Sequence, residues 1–282
     1  MLDIARLQRI RLSSRPTIQR AVAMGWLWPT YNLPGRRVKI QFEDFDRVPD
    51  EPVMYAMNHT DRFNYWPFQY RLFRKHDRYT ATWVKGKYYE SQGVGKFMEL
   101  TNNLPTVSRG YLIAKDFTRT IGRRPTEEEY TAMRDAIDAA SRGLEPSESI
   151  LPRALLTTPR DMLGRAFDPV RESWAEAINE LFAVMMRRFV ELHDEVFDNG
   201  LDLLIFPQGT RSIRLSAGRI GIAQIAMKYR KTIVPIGCNG SEVLYPGGNP
   251  LARGGEVTYR FGHPIRPADY ADVQVDGFTP FH

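Results

Sequence analysis

The stretch "PVMYAMNHTDRFN", residues 52–64, joins a short apolar run to a cluster of polar side chains. The apolar part, 52–58, follows Pro49 and is typical of a buried strand. The polar part then falls in the loop after the strand's carboxyl end, which is where active sites of open α/β sheets gather. The stretch therefore predicts a central strand followed by a candidate site around His59.

Strands and helices alternate on both sides of this stretch. The segment 36–44 alternates Val38, Ile40 and Phe42 with polar residues, as a half-buried strand does. Thr126 and Glu129 form a capping-box pattern that opens a helix ending near Gly143. Further strands are predicted at 79–84, 104–110, 201–206, 232–237 and 256–262, and further helices at 66–76, 93–100, 173–197 and 217–230. Such alternation indicates an α/β fold.

Composition narrows the class of partner. The net charge is +6 and the isoelectric point is near 9.4, which favours anionic partners such as phosphorylated molecules or an anionic membrane. The basic residues do not follow a recognisable nucleic-acid module, so we expect no nucleic-acid partner. The five histidines show no zinc-ligand spacing, so no metal is expected. A single cysteine, Cys238, fits a reducing compartment, and no apolar run approaches the roughly 20 residues of a membrane span.

The first 33 residues differ in character from the rest. Residues 1–20 hold five arginines against one acidic side chain, Asp3. Apolar residues alternate with the arginines, and Trp26 and Trp28 follow. The pattern predicts a basic amphipathic helix with two interpretations: it lies in a membrane interface, or it packs on the domain surface. The predicted location is cytoplasmic and peripheral, on the inner face of the cell membrane.

A second polar loop, "PQGTRS" (207–212), follows the buried strand 201–206. Gly209 allows a ligand to approach the backbone closely, while Thr210 and Arg211 offer donors that suit a phosphate or carboxylate. A solvated turn explains the same residues. Arg109, at the end of "LPTVSRG", is a third candidate at a strand end. Three such loops, each with a base or a cation, favour one shared site.

Taken in order, the motifs resemble those of the glycerolipid and lysophospholipid acyltransferase family. The resemblance rests on "NHTDRFN" as the His-x4-Asp block, "VKGKYYESQGVGKFMELTNNLPTVSRG" as the second block, "IFPQGTRS" and "IVPIG" as the third and fourth, and "EVTYRFGHPI" as the closing strand. It covers roughly residues 36–114 and 173–267. It implies an α/β single domain with a mixed, largely parallel sheet flanked by helices, of the glycerol-phosphate acyltransferase type.

The resemblance also implies an activity and roles for residues. An O-acyltransferase of this kind moves a fatty acyl group from acyl-CoA or acyl-carrier-protein to a hydroxyl of a lysophospholipid or glycerol phosphate, at a membrane surface and without a cofactor. His59 would be the general base. The acceptor's phosphate would be bound by Arg109, Gln208, Gly209, Thr210 and Arg211.

Two residues depart from the family's pattern. Asn64 stands where the family has the aspartate that partners the histidine, and Gln208 stands where it has a glutamate. In the serine-protease template, an equivalent Asp-to-Asn change costs about 10⁴ in rate. Three explanations remain open: Asp61 supplies the carboxylate, Asn64 orients His59 by itself, or the protein is a catalytically impaired homologue that binds lipid or acyl carrier. Separately, a third function is an acyltransferase with a different acceptor, such as the hydroxyl of an amino-lipid or glycolipid.

The middle of the chain has no counterpart in the family's motifs. Residues 115–172 are therefore predicted to be an inserted helical and loop segment. The expected organisation is an N-terminal interfacial segment, 1–33, followed by an acyltransferase domain, 34–282.

Overall fold

The computed structural model describes residues 1–35, 37–145, 149–275 and 280–281. The helices in chain order are α1 (Ile4–Arg9), α2 (Thr17–Val22), α3 (Trp28–Asn32), α4 (Tyr65–His76), α5 (Gln92–Leu100), α6 (Arg109–Ile121), α7 (Glu127–Ser141), α8 (Arg153–Thr157), α9 (Trp174–Asp198), α10 (Gly221–Tyr229) and α11 (Ser241–Leu244). A π-helical segment, Ala23–Leu27, joins α2 to α3.

The strands are β1 (Val38–Glu43), β2 (Met54–Met57), β3 (Thr80–Lys85), β4 (Asn103–Thr106), β5 (Arg160–Met162), β6 (Arg165–Phe167), β7 (Asp202–Ile205), β8 (Ile233–Asn239) and β9 (Gly255–Phe261). Seven of them form one sheet in the order β1-β9-β8-β2-β7-β3-β4, while β5 and β6 form a separate hairpin. In the main sheet β8 and β9 pair antiparallel, whereas β1–β9, β2–β8, β2–β7 and β3–β7 pair parallel. The predicted α/β fold with a mixed, largely parallel sheet is confirmed.

Contacts divide the chain into two compact units. The helical unit consists of residues 1–10, 84–96 and 105–191, and the sheet unit consists of residues 11–83, 97–104 and 192–282. In the helical unit, the buried Asp116 carboxylate accepts from the guanidinium of Arg160 and from Nε1 of Trp174. This buried polar cluster links α6, β5 and α9, so the middle of the chain is a folded body with its own interior.

In the sheet unit, β2 lies at the centre because it pairs with β7 on one side and β8 on the other. Tyr55 is in register with Leu204 and Val234, and all three side chains are fully buried. Parallel pairing brings the carboxyl ends of β2 and β7 to the same edge of the sheet. The two polar loops singled out in the sequence therefore leave the sheet side by side.

The N-terminal region is not one continuous helix. Residues 10–16 separate α1 from α2, and Pro16 occupies the N-cap position of α2. A residue that precedes a proline is disfavoured in helical conformation, which explains the break. Leu2, Leu7 and Ile10 are buried in the helical unit, so the amphipathic pattern of residues 1–12 reflects packing inside the protein.

The exposed apolar side chains of the N-terminal region lie further along, in residues 17–33. Met24, Trp26, Trp28 and Leu33 are each 42–51% exposed. Among the described residues, no helix is long and apolar enough to cross a membrane. The boundaries predicted at residue 33 and around the insertion 115–172 remain predictions, although the insertion holds α7, α8 and the β5–β6 hairpin as well as loop.

Candidate active site

The candidate site is built from the two loops that follow β2 and β7 in the sheet unit. Ser212 N donates to the His59 carbonyl at 2.8 Å, and His59 N donates to Oε1 of Gln208 at 3.2 Å. These two bonds run in opposite directions between the loops. They fix the backbone of His59 against the loop at 207–212, as expected from strand ends that share one edge.

The His59 imidazole is oriented by Asn64. Its Nδ1 lies 3.0 Å from Oδ1 of Asn64, a residue with no solvent exposure. The Asn64 amide cannot rotate freely, because its Nδ2 donates to the Asn58 carbonyl at 2.8 Å. Oδ1 must then face the ring, and an amide oxygen only accepts, so Nδ1 carries the hydrogen. That tautomer leaves the lone pair of the imidazole on Nε2, which is the arrangement of a base.

Asp61 has other partners. Its Oδ1 accepts from Phe63 N at 2.7 Å, and its Oδ2 accepts from the Thr60 hydroxyl at 3.0 Å. Both bonds stay within the loop. They stabilise its turn, because an aspartate side chain there accepts hydrogen bonds from neighbouring residues of the same loop. Of the two candidate orienting groups for His59, the structure places Asn64 against the ring and commits Asp61 to the turn.

Aromatic packing restrains one face of the His59 imidazole. The ring of Phe206, the residue after β7, stacks on His59 with centroids 4.1 Å apart and planes 23° apart. Tyr65 lies edge-on to Phe206 at 6.3 Å. The imidazole is therefore held between a hydrogen-bonding amide and a ring, which restricts its rotation.

The buried Tyr259 and the partly buried Asn58 support Asn64. The Tyr259 hydroxyl donates to the Asn64 carbonyl at 2.5 Å, and burial raises the pKa of that hydroxyl well above its usual value. Asn58 exchanges two hydrogen bonds with the Cys238 backbone, at 2.6 and 2.9 Å. Burial also raises the pKa of the Cys238 thiol to about 12, so this cysteine stays protonated and is not a nucleophile.

The second loop is ordered by Gln208. Its Nε2 donates to the Arg214 carbonyl and to the Ser216 hydroxyl, each at 3.2 Å, and the side chain is 6% exposed. The amide thus has an acceptor role toward His59 N and a donor role toward 214–216. A carboxylate can perform only the first of these roles, because it has no hydrogen to donate when ionised.

The remaining residues of this loop face solvent or the backbone. Gly209 has φ of +68°, a left-handed conformation that a β-carbon disfavours, and its N donates to the Phe206 carbonyl at 3.0 Å. Thr210 and Arg211 are exposed. The loop therefore presents donors at the surface beside His59, although their role in binding a ligand remains a prediction.

Arg109 belongs to the helical unit. The sequence pattern suggested the end of a strand, whereas the structure makes it the first residue of α6. Ser108 caps that helix, because its Oγ accepts from Tyr111 N at 3.1 Å. The Arg109 guanidinium lies over the Phe182 ring, 4.9 Å from its centroid. The structure brings His59, Asn64, Gln208, Gly209, Thr210 and Arg211 together in the sheet unit, and Arg109 is described apart from them.

Sequence reasoning missed four supporting residues: Asn58, Phe206, Cys238 and Tyr259. Asn58 and Phe206 lie within the quoted motifs, so their position was an available signal. Tyr259 and Cys238 lie on distant strands, and only the pairing of β8 with β2 and β9 brings them close. Among the described residues, no group of histidine, cysteine and acidic side chains is arranged to hold a metal ion.

Comparison with known proteins finds one similar sequence and one similar solved structure to report. No family model matches it. A segment of 91 residues, 32% of the chain, is 29% identical to a 1-acyl-sn-glycerol-3-phosphate acyltransferase from Cocos nucifera. That segment spans 30% of the curated relative's length. Over this segment the chain is similar to an acyltransferase of the kind that its motifs resemble.

A solved structure was also found. The crystal structure of the 1-acyl-sn-glycerophosphate (LPA) acyltransferase PlsC from Thermotoga maritima aligns with 99% of this chain and 71% of that chain. The sequences are 15% identical in that alignment and the TM-score is 0.41.

Proposed function

We propose that the protein transfers a fatty acyl group from an acyl-CoA or acyl-carrier-protein thioester to a hydroxyl of lysophosphatidic acid or a related glycerol phosphate. The observation that carries the proposal is the hydrogen bond from His59 Nδ1 to the buried Asn64 amide, which sets the basic tautomer at the end of the central strand. The motifs and the distant relationship to acyltransferases supply the substrate class.

In the proposed reaction, Nε2 of His59 takes the proton of the acceptor hydroxyl as its oxygen attacks the thioester carbonyl. The tetrahedral intermediate then collapses, the carbon–sulfur bond breaks, and the thiolate receives the proton from the imidazolium. Asn64 holds the ring through both transfers, and no covalent enzyme intermediate is needed. Positioning and acid–base work carry this chemistry.

An apolar cleft in the sheet unit supports binding of an acyl chain. It lies between the 17–32 segment and α4 and has a volume of about 40 Å³, so an acyl chain would have to widen it. Its lining includes Val22, Leu27, Tyr65 and Trp66. Tyr65 contacts Phe206, which in turn stacks on His59, so the cleft begins two ring contacts from the imidazole. An acyl chain in this cleft would have its carboxyl end near the base.

For the acceptor, Thr210 and Arg211 would bind the phosphate, with Gly209 providing a close backbone approach. The sequence motifs alone predict Arg109 as a phosphate ligand. A guanidinium binds two phosphate oxygens at once, which suits a headgroup that must be held while its hydroxyl reacts. The exposed Met24, Trp26 and Trp28 support a peripheral position on the cytoplasmic face of the membrane.

The experiment is release of thiol from acyl-CoA and from acyl-carrier-protein, with and without lysophosphatidic acid, for wild type, His59→Ala and Arg211→Ala. We expect acceptor-dependent release by wild type and a loss of at least 10²-fold in His59→Ala. Retention of wild-type rates by a folded His59→Ala protein would refute the assignment of the base. Turnover of acceptors without phosphate, unaffected by Arg211→Ala, would instead identify a different acceptor class.

The second candidate function is a catalytically impaired homologue that binds lipid or acyl carrier. It is favoured by Asn64 and Gln208, which replace both acidic residues of the family's motifs with amides. An amide holds the imidazole but does not balance the charge of an imidazolium. This function predicts that wild type binds the acyl donor and releases no thiol with any acceptor, which the same assay would show.

A further inference from the structure

A second pocket in the sheet unit lies between α3, β1 and α4, away from the His59 loops. Its volume is about 250 Å³, enough for a phosphate with a glycerol attached. The floor is apolar and comes from Val38 and Ile40 of β1, while the walls are polar or charged. The wall residues that matter for its chemistry are Trp28, Asn32, Tyr70, Arg71, Arg74 and Lys75.

The pocket carries three positive charges. Arg71, Arg74 and Lys75 stand at i, i+3 and i+4 of α4 and so share one helix face. None of the three forms an ion pair with a carboxylate in the part of the chain that the structure describes. A compact cluster of this kind without acidic partners attracts an anion.

Stabilisation of the helix end explains only part of the cluster. Arg74 and Lys75 lie in the last turn of α4, where positive charge complements the helix dipole. Arg71 is one turn earlier and is partly buried against the Phe42 ring. Its Nε is shielded from solvent and has no hydrogen-bond acceptor among the described residues. A buried donor without an acceptor is unusual, and Arg71, which carries it, is one of the residues that line this pocket.

The surface next to the pocket is apolar. Trp28, a wall residue, is 45% exposed, and Met24, four residues earlier on the same helical segment, is 42% exposed. Tryptophan prefers the headgroup region of a bilayer, where one side of the ring is wet and the other apolar. The pocket therefore opens beside a set of side chains suited to a lipid surface, and this juxtaposition favours a membrane lipid over a soluble anion.

We propose that this pocket binds the phosphate of an anionic phospholipid headgroup when the protein docks on a membrane. The guanidinium groups of Arg71 and Arg74 and the ammonium group of Lys75 contact the phosphate oxygens. Asn32 offers an amide to the glycerol. The site shares no residue with the His59 loops, and the inference does not depend on the proposed acyl transfer. Its role is to hold the membrane-facing side of the sheet unit against anionic lipid.

The experiment is co-sedimentation of the full chain with phosphatidylcholine vesicles, with and without phosphatidylglycerol. Arg74→Gln/Lys75→Gln removes two exposed charges and should fold normally. We expect wild type to prefer the anionic vesicles, and this variant to bind them about 10- to 30-fold more weakly. The matched control, Lys228→Gln/Arg253→Gln, removes two exposed charges elsewhere on the sheet unit and should stay within about threefold of wild type.

Equal weakening by the variant and the control would overturn the proposal, because binding would then follow net charge. Equal binding of wild type to neutral and anionic vesicles would overturn it as well. Inorganic phosphate and glycerol phosphate serve as soluble competitors. The competitor is added at the same concentration as the lipid phosphate. If it displaces the protein from the vesicles at that concentration, the site binds a soluble anion and the proposed membrane lipid is wrong.

Arg71→Gln tests the buried member of the cluster. We expect a further loss of preference for anionic vesicles, with binding to neutral vesicles unchanged. Circular dichroism and the thermal midpoint show that the variant is folded. A folded Arg71→Gln protein with wild-type lipid preference would remove Arg71 from the site.

Discussion

At the residue scale, the Asn64 amide faces two partners at once. Its Oδ1 accepts from His59 Nδ1, and its Nδ2 donates to the Asn58 carbonyl at 2.8 Å. An aspartate at this position would keep the first bond and turn the second into a contact between two oxygens. The local structure is therefore adapted to an amide, with Asn58 and Tyr259 placed around it.

We expect Asn64→Asp to destabilise the protein. The lost bond to Asn58 and the buried oxygen pair should cost about 1–3 kcal/mol, seen as a lower thermal midpoint. Asn32→Asp is the control, since Asn32 also donates to a backbone carbonyl but is exposed. If the thermal midpoint of the Asn64→Asp protein equalled that of wild type, the site would be shown to accommodate a carboxylate.

Asp61→Asn should change the rate of thiol release by less than about tenfold, because Asp61 shapes its own loop and Asn64 orients the ring. An asparagine Oδ1 still accepts from Phe63 N, so the turn is retained. The measurement is the steady-state rate at saturating donor. A loss approaching 10²-fold or more would mean that Asp61 acts on His59 after all.

At the element scale, β7 is tied to its neighbours by a buried ion pair. Asp202 accepts from Arg78 Nε at 2.8 Å and from Val53 N at 3.0 Å, and it is 1% exposed. Arg78, which precedes β3, also donates to carbonyls at 49–51. The pair joins the starts of β2, β3 and β7, the strands from which the His59 loops are positioned.

Asp202→Asn should destabilise the protein by about 3 kcal/mol, because it leaves the partly buried Arg78 without its counter-charge. Urea unfolding measures this as a lower midpoint. Glu43→Gln is the control, since it breaks the exposed pair between Glu43 and Arg260 and should leave the midpoint unchanged. A similar decrease of the urea midpoint in both variants would mean that the buried Asp202 pair stabilises the protein no more than the exposed pair does.

The end of α4 should make stability depend on pH. Burial, followed by the charges of Arg71, Arg78 and Lys75, lowers the pKa of His76, which stacks on Phe45. Below a pH of about 6.5, the unfolded chain binds a proton at His76 more readily than the folded protein does. Protonation of His76 therefore leaves the free energy of unfolding unchanged above that pH and lowers it as the pH falls below it. Stability curves for wild type and His76→Gln should converge above that pH and separate below it, with wild type losing more. Parallel curves would contradict the assignment.

Most elements were predictable because each depends on local patterns. The capping box at Thr126 and Glu129 and the apolar stripe of α9 specify their helices without reference to the rest of the fold. The short hairpin β5–β6 was not predicted, since three-residue strands carry too little periodicity. The orientation of Asn64 depends on Asn58 and Tyr259, which the sheet brings together, and no local pattern encodes that.

At the scale of the whole molecule, the N-terminal residues divide between the two units. Residues 1–10 pack into the helical unit, whereas 11–33 belong to the sheet unit and carry the exposed tryptophans. Both parts combine arginines with apolar side chains. Only tertiary packing distinguishes the buried Leu7 from the exposed Trp26, which is why composition alone left two interpretations open.

Trp26→Ala should weaken binding to neutral phosphatidylcholine vesicles by at least about threefold, because an exposed indole favours the bilayer interface. Val243→Ala, at a position 68% exposed elsewhere on the sheet unit, is the control and should have no effect. Vesicle binding monitored by sedimentation gives the result. Unchanged binding of Trp26→Ala would remove this tryptophan from the membrane contact.

The π-helical segment Ala23–Leu27 determines how α3 is rotated about the helix axis. A π-turn holds one more residue than an α-turn, so α3 is rotated by about 100° relative to a regular continuation of α2. Gly25 lies inside this segment. If the same residues of 17–32 formed a single regular α-helix, the indole of Trp28 would lie about a quarter-turn around the axis from its present direction. The wide turn at 23–27 therefore decides the direction in which that indole points.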